Sequence, residues 1–291
     1  LESNPTFYSL WIGNNDVLGY AISGGSSGSI TPVGQFTADL NAITNAFANQ
    51  QAQGVIANIP DITSLPFFTT VPWNGLALSE AQAAGLNAAA SVYNGALDQA
   101  VAGSQLSAEE AEMRKLSFGA GANAFVIVDN DLTDLSAGGI PNMRQIKSTE
   151  LIGLSVERDS ILCKGYGSFY ANAGEFRPLT ENNVLDENEI QQIKDAVSGY
   201  NQAIKNVADQ KGLAFVNTNA IMKEFQTGLS YDGVNYSTEF VTGGLFSLDG
   251  VHPNTRGYAI IANAHIDAIN NKFSANVPKV NVNDYPGVTF P

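Results

Sequence analysis

The chain is expected to fold as an α/β protein around a parallel sheet. Three observations lead there. An apolar run rich in β-branched and aromatic residues, TFYSLWIG (Thr6 to Gly13), is followed by one amphipathic helix and a second apolar run, GVIANIPDI. A crossover of that length brings the second strand alongside the first in the same direction, which a short hairpin turn cannot do. The core pattern then resumes near Ile190, after a long segment of different character.

Taken in order, Thr6 to Gly13 reads as a buried strand closed by Gly13 and two asparagines, a tight-loop signal. The Gly/Ser stretch ISGGSSGSITP follows as a loop without a phosphate-binding pattern. Phe36, Leu40, Ile43 and Phe47 recur at helical spacing, which predicts one face of a helix ending near Gly54. The next strand is GVIANIPDI, stopped by Pro60.

From about Trp73 to Asp186 the pattern changes. LSEAQAAGLNAAASVYNGALDQAV is Ala-rich and helical, and SAEEAEMRKL opens on a capping box, Ser107 to Glu110. AFVIVDND is a short strand, and the remainder is irregular, with Pro141, Pro178 and several glycines. We therefore expect core segments at 1–72 and 187–291, with 73–186 as a large, mostly helical insertion of the kind that often sets substrate selectivity. In the second core segment Ile190, Ile193, Val197, Tyr200, Ile204 and Val207 mark a helix that Gly212 stops. LAFVN is a strand, YDGVNY a hairpin with a tight Asp-Gly turn, and a helix spans about Thr255 to Lys272. The proline-broken tail FSANVPKVNVNDYPGVTFP is expected to pack as an extended strap.

Composition narrows the function classes. The 28 acidic residues outnumber 14 basic ones and give a formal charge of −14. That field repels phosphate backbones, so no nucleic-acid partner is expected. There is one cysteine, Cys163, read as a small buried hydrophobe, and there are two histidines, so neither a disulfide nor a zinc site is expected. No apolar run reaches the roughly 18 residues of a membrane span. Low charge with abundant Asn, Ser, Thr and Gly fits an exported protein, periplasmic, cell-surface or extracellular.

Two short motifs carry chemistry. GNND (Gly13 to Asp16) directly follows a strand, and DGVHP (Asp249 to Pro253) directly precedes a helix. Residues just past the carboxyl ends of parallel strands line the ligand crevice, so both motifs are placed to meet there. An Asp beside a His can fix the imidazole tautomer and stabilise the imidazolium, and an Asn amide is a preorganised oxyanion donor.

In these motifs the chain resembles the SGNH hydrolases, also called GDSL lipases and esterases. Gly13, Asn15 and Asp16 match the Gly-x-Asn-Asp block, and Asp249 and His252 match the Asp-x-x-His block. The resemblance implies a flavodoxin-like three-layer α/β/α fold and ester hydrolysis through an acyl-enzyme, with no cofactor. It implies His252 as general base, Asp249 as its orienting acid, and Asn15 as an oxyanion donor within the block that Gly13 opens. A small ester or acylated substrate follows from the same likeness.

The Gly-Asp-Ser block that carries the nucleophile in that family is not matched, nor is the block that supplies an oxyanion glycine. In strand order 2-1-3-4-5, Thr6–Gly13 would be the third strand, with a bare edge where the first belongs. Three explanations are weighed, in order of preference. The chain is a piece of a longer enzyme whose serine lies upstream, in about 100 or more further residues; a second copy or another chain covers the strand at 6–13; or the protein is an inactive relative. A non-catalytic carbohydrate- or lipid-binding module at the cell surface is the alternative function.

Other residues are read against plainer roles. Ser26, Ser27 and Ser29 sit in a Gly-rich surface loop, and Ser247 lacks a strained strand-to-helix elbow. Asp16 serves either catalysis or capping. Asn58 is favoured as structural over crevice-lining, Phe67 and Phe68 as core over acyl wall, and His265 as having no chemistry. Trp11 is expected to be buried. Asp129, Asp131 and Asp134 lack the glycine and terminal Glu of a calcium loop and read as solvated turn carboxylates.

Overall fold

The structure is a computed structural model and describes residues 4–156, 167–170 and 175–288. Its helices are α1 (Asn15–Ile22), α2 (Val33–Ala48), α3 (Pro66–Thr69), α4 (Glu80–Ala102), α5 (Ala108–Arg114), α6 (Glu187–Lys211), α7 (Thr218–Thr227) and α8 (Thr255–Phe273). Its strands are β1 (Phe7–Leu10), β2 (Gln53–Ala57), β3 (Leu76–Leu78), β4 (Gly121–Asn123), β5 (Val126–Val128), β6 (Met143–Gln145), β7 (Leu151–Ile152), β8 (Ser168–Tyr170), β9 (Glu175–Arg177), β10 (Val184–Leu185), β11 (Ala214–Val216), β12 (Leu229–Tyr231) and β13 (Val234–Tyr236). The chain divides into two compact units, one drawn from residues up to Ala21, Ser27–Thr70 and Asn188 onward, the other from Ile22–Ser26 and Val71–Glu187. Among the described residues no helix is long and apolar enough to cross a membrane.

The first unit holds a parallel three-stranded sheet with β2 in the middle, β1 on one side and β11 on the other. Successive side chains of a strand point to opposite faces, so each face has its own partner. Val55, Ala57, Ala214 and Val216 face α8, against Ala264, Ala268 and Ile269. On the opposite face the Tyr8 ring stacks on Phe47 of α2 with centroids 4.1 Å apart. Gly54 makes room for that ring: a Cβ there would lie 2.6 Å from Tyr8 Cε1. The helix expected to end near Gly54 therefore stops at Ala48, because Gly54 belongs to β2 and serves strand packing. Phe36 of α2 stacks on Tyr200 of α6 at 4.2 Å, and Asn201 of α6 bonds both backbone groups of Ile59 beyond β2.

The first unit also has a helix that the sequence does not announce. The apolar run VLGYAI after GNND is too short to declare a helix, and α1 occupies Asn15–Ile22 with Val17 and Ala21 buried one turn apart. Eight residues with a glycine among them give too little periodicity to stand out from a Gly/Ser-rich neighbourhood. The hairpin at YDGVNY forms as expected: β12 and β13 pair antiparallel across Asp232 and Gly233, both at positive φ. The tail is held along α8 by asparagines two turns apart. Asn263 exchanges hydrogen bonds with the backbone of Val280, and Asn270 does so with Val277.

The second unit is less helical than expected. Helix α4 opens on a full capping box, Ser79 with Gln82, and α5 follows. Ser107 caps α5, but the Glu110 side chain turns to Thr133 instead of closing the expected box. After α5 the chain runs in short antiparallel pairs, β5 with β6, β7 with β10 and β8 with β9, while β3 pairs with β4. Frequent Gly and Pro prevent helix in that stretch and leave two- and three-residue strands. Two buried arginines are built into this unit beside its two apolar clusters, one around Leu97 and Leu116 and one around Phe125 and Leu179. Arg114 bonds Tyr93, Thr133 and Pro141, and Arg144 grips both oxygens of Glu150 and one of Asp129. Asp129 is thus an ion-pair partner, while Asp134 accepts from Ser136. Cys163 lies outside the described residues.

Candidate active site

All three strands of the parallel sheet open at their carboxyl ends onto one pocket of about 480 Å³. Beyond β1 the chain supplies Trp11 to Asp16, beyond β2 Pro60, Ile62 and Leu65, and beyond β11 Thr218 and the inward face of α7. The loop before α8 adds Phe246, Val251, His252 and Pro253. This is where a parallel α/β sheet places ligands, because strand ends leave a crevice that the helices do not fill. Gly13, Asn15 and His252, distant in sequence, all line it. Asp249 does not line the pocket; it stands behind His252.

Gly13 owes its identity to backbone shape. Its φ is +101°, and a Cβ would fall 2.6 Å from Ile59 Cδ1 and 2.8 Å from Phe36 Cε2. The turn it makes starts α1: Asp16 N–H donates to Gly13 O, and Leu18 N–H to Asn14 O. Asn15 is the first residue of α1 and is exposed. Its side chain makes no hydrogen bond among the described residues, so the amide is free to donate to a ligand. Asp16 also lines the pocket. Behind it, burial first and the Asp16 charge second push the Tyr200 phenol up to about 12.

The His252 loop is pinned at both ends. Ser247 N–H donates to His252 O at 2.8 Å, Asn254 N–H to Leu245 O at 2.8 Å, and Phe67 N–H to Gly250 O at 2.9 Å. Gly250, at φ +70°, makes the reversal. Asn254 then caps α8 by accepting from Arg256 and Gly257 N–H while its amide donates to Gly244 O. Glycine is required at position 257, since a Cβ would lie 2.4 Å from Leu245 O.

Within this loop Asp249 is saturated. Oδ1 accepts from Ser247 Oγ at 2.6 Å, Val251 N–H at 2.8 Å and His252 N–H at 2.9 Å, and Oδ2 lies 2.7 Å from His252 Nδ1. Partial burial works to raise its pKa, but these hydrogen bonds together outweigh it and hold the carboxyl well below the ordinary carboxylate range. A carboxylate at Nδ1 makes that nitrogen the protonated one in the neutral ring, leaving Nε2 as the acceptor. The His252 side chain is 63% exposed, and Nε2 has no hydrogen-bond partner among the described residues.

No protein-family model, curated protein or solved structure matches this chain.

The functional reading therefore rests on the geometry. An oriented imidazole with a free acceptor nitrogen, a free amide donor and an apolar chamber share one pocket. That set can take a proton from a hydroxyl and stabilise an oxyanion. No serine or cysteine is among the described residues lining the pocket. Thr218 lines it, but its hydroxyl donates to Asn58 O. Ser247 binds the carboxylate, the wrong end of the pair for a nucleophile.

Sequence reasoning misses Ser247 as a supporting residue, and Leu18, Ile221, Met222 and Phe225 as pocket walls. The last three recur at helical spacing just after β11, which is the available signal. Asn58 is structural: it bonds Asn217, Thr218 and Asn219, and its carbonyl accepts from Trp11 Nε1. Trp11 is half-buried and lines the pocket. Phe68 is buried and Phe67 packs on it edge-to-face, with neither lining the pocket. His265 packs beside Trp11 and bonds Ile261 O.

Proposed function

We propose that the protein is an ester hydrolase of the SGNH type, built on a flavodoxin-like three-layer core. His252 is the general base, Asp249 fixes its tautomer, and Asn15 donates to the tetrahedral oxyanion. The serine nucleophile is supplied by a segment or chain other than the residues that line the pocket here, and it meets Nε2 at the mouth of the pocket. One observation carries the reading: Asp249 is locked by Ser247 and two backbone amides while its other oxygen holds His252 Nδ1 at 2.7 Å. The core sheet agrees with this assignment, since three parallel strands in consecutive order correspond to strands three to five of that fold. Export from the cytoplasm is part of the same reading.

In the reaction, His252 Nε2 takes the serine proton as the oxygen attacks the ester carbonyl, and returns it to the departing alcohol. Water then repeats the step on the acyl-enzyme. Hydrolysis of p-nitrophenyl butyrate by the protein as isolated from its source, with fluorophosphonate labelling to locate the activated serine, tests the assignment. The alternative, a binding module without turnover, is favoured by the pocket lining, which contains no serine among the described residues; saturable ligand binding without either hydrolysis or labelling would establish it.

A further inference from the structure

His252 is joined to α8 through Pro253 and Asn254, and the tail grips α8 at that same end. Ser274, at φ +51°, turns the chain back along the helix. Val282 is fully buried and seats the returning segment, while Tyr236 Oη donates to Asn283 Oδ1 at 2.9 Å. Lys279 pairs with Asp267 of α8 at 2.7 Å, between the asparagine bonds at Asn263 and Asn270. The remaining grips fall on the first turn of α8. There Thr255 Oγ1 donates to Pro286 O, and Arg256 Nε donates to Tyr285 O at 2.7 Å. Gly287 lies against the guanidinium: a Cβ there would sit 3.2 Å from Arg256 Nη1.

That first turn is therefore held from two directions. Asn254 ties it to the chain leading into the His252 loop, through Gly244 O and Leu245 O. Arg256 N–H donates to the Asn254 cap at 3.0 Å, and its side chain reaches the tail. A charged donor on a carbonyl holds more firmly than a neutral one. The proline between His252 and the cap has its φ fixed by its ring, so a shift of the turn is passed on to the imidazole.

We propose that the tail braces the imidazole of His252 and that Arg256 is the positioning residue through which it acts. The bond from Arg256 to Tyr285 O keeps the first turn of α8 in place, and with it the register of the His252 ring on Asp249. The expected loss of turnover rests on the ester-hydrolase reading; the effect on the ring does not.

The chain has two histidines, so the ring nitrogens of His252 are readily assigned by NMR of the isotope-labelled protein. In the parent the neutral ring should hold its proton on Nδ1. Arg256→Ala should loosen that preference, so that about a tenth or more of the neutral ring carries the proton on Nε2. In the same variant kcat for p-nitrophenyl butyrate should fall about threefold to tenfold, with KM within about twofold of the parent. Arg256→Lys keeps a charged donor and should recover part of both losses. Thr255→Val removes the neighbouring bond to Pro286 O and should act in the same direction as Arg256→Ala. Asn270→Ala is the control for a tail that only stabilises. It removes both bonds to Val277, about 21 Å further along α8. It should lower the melting temperature and leave the ring and kcat at parent values. A parent-like ring in folded Arg256→Ala protein would overturn the inference, and so would equal changes in Arg256→Ala and Asn270→Ala. A shifted ring in a protein that hydrolyses no ester would leave the inference standing and remove the ester-hydrolase reading. Ester hydrolysis with an unshifted ring would do the reverse.

Discussion

His252 Nδ1 lies 2.7 Å from Asp249 Oδ2, and the opposite oxygen of the same carboxylate accepts from Ser247 Oγ at 2.6 Å. The carboxylate is thus clamped from two sides while the imidazole keeps one nitrogen for the pocket. Ser247 is a positioning residue in this arrangement. Ser247→Ala should lower kcat for ester hydrolysis by several-fold to about tenfold with little change in KM, since the lost bond is to a charged group that never touches substrate. Equal kcat in variant and parent would show that the clamp is not needed.

The low pKa of Asp249 has a stability consequence with a definite sign. Its folded value lies below the unfolded value of about 3.9, so its hydrogen bonds contribute stability at pH above that value. The contribution is lost as pH falls toward the folded value. The melting temperature of the parent should exceed that of Asp249→Asn near neutrality, and the gap should narrow as pH drops from about 5 downward. A gap that widens in acid would contradict hydrogen bonding as the cause.

Two glycines should resist substitution for steric reasons. Gly54→Ala would push a methyl into the Tyr8 ring, and Gly257→Ala would push one into Leu245 O. Each should destabilise the protein by about 1–3 kcal/mol in denaturant unfolding. Gly257→Ala should also reduce hydrolysis, because the displaced carbonyl belongs to the stretch of chain leading into the His252 loop. Gly85, with open space around its Cβ position, serves as the control.

In the second unit, Arg144→Met should be severe. It would leave Glu150, 3% exposed, without its cation, and the loss expected from breaking a buried pair on one side is about 3–5 kcal/mol. Melting followed alongside Glu150→Gln in the Arg144→Met background checks the cause, since removing the orphaned charge should recover part of the loss.

Much of the first unit is legible in the sequence because its elements are periodic or carry distinct turn chemistry. The run from Ile190 to Val207, the Asp-Gly hairpin at Asp232 and the helix from about Thr255 to Lys272 each announce themselves locally. Helix α1 does not, because its stability comes from the Gly13 turn and from burial of Val17 and Ala21, which only tertiary packing supplies. The short pairs of the second unit are hidden for the same reason: β7 and β10 are two residues each and pair across more than thirty positions of sequence. At the site, GNND and DGVHP are visible as motifs, but Ser247 is not, since a serine two residues before an aspartate has no pattern until the loop folds back. Leu18 is not marked as a pocket wall either, because the short run VLGYAI does not show which of its side chains meets the crevice.

The most direct test is the rate of p-nitrophenyl butyrate hydrolysis by the protein from its native source and by its His252→Ala variant. With His252 as the base, kcat/KM should fall by about 10³-fold or more while the variant keeps its fold by circular dichroism. Unchanged kcat/KM in a folded His252→Ala protein would contradict the account.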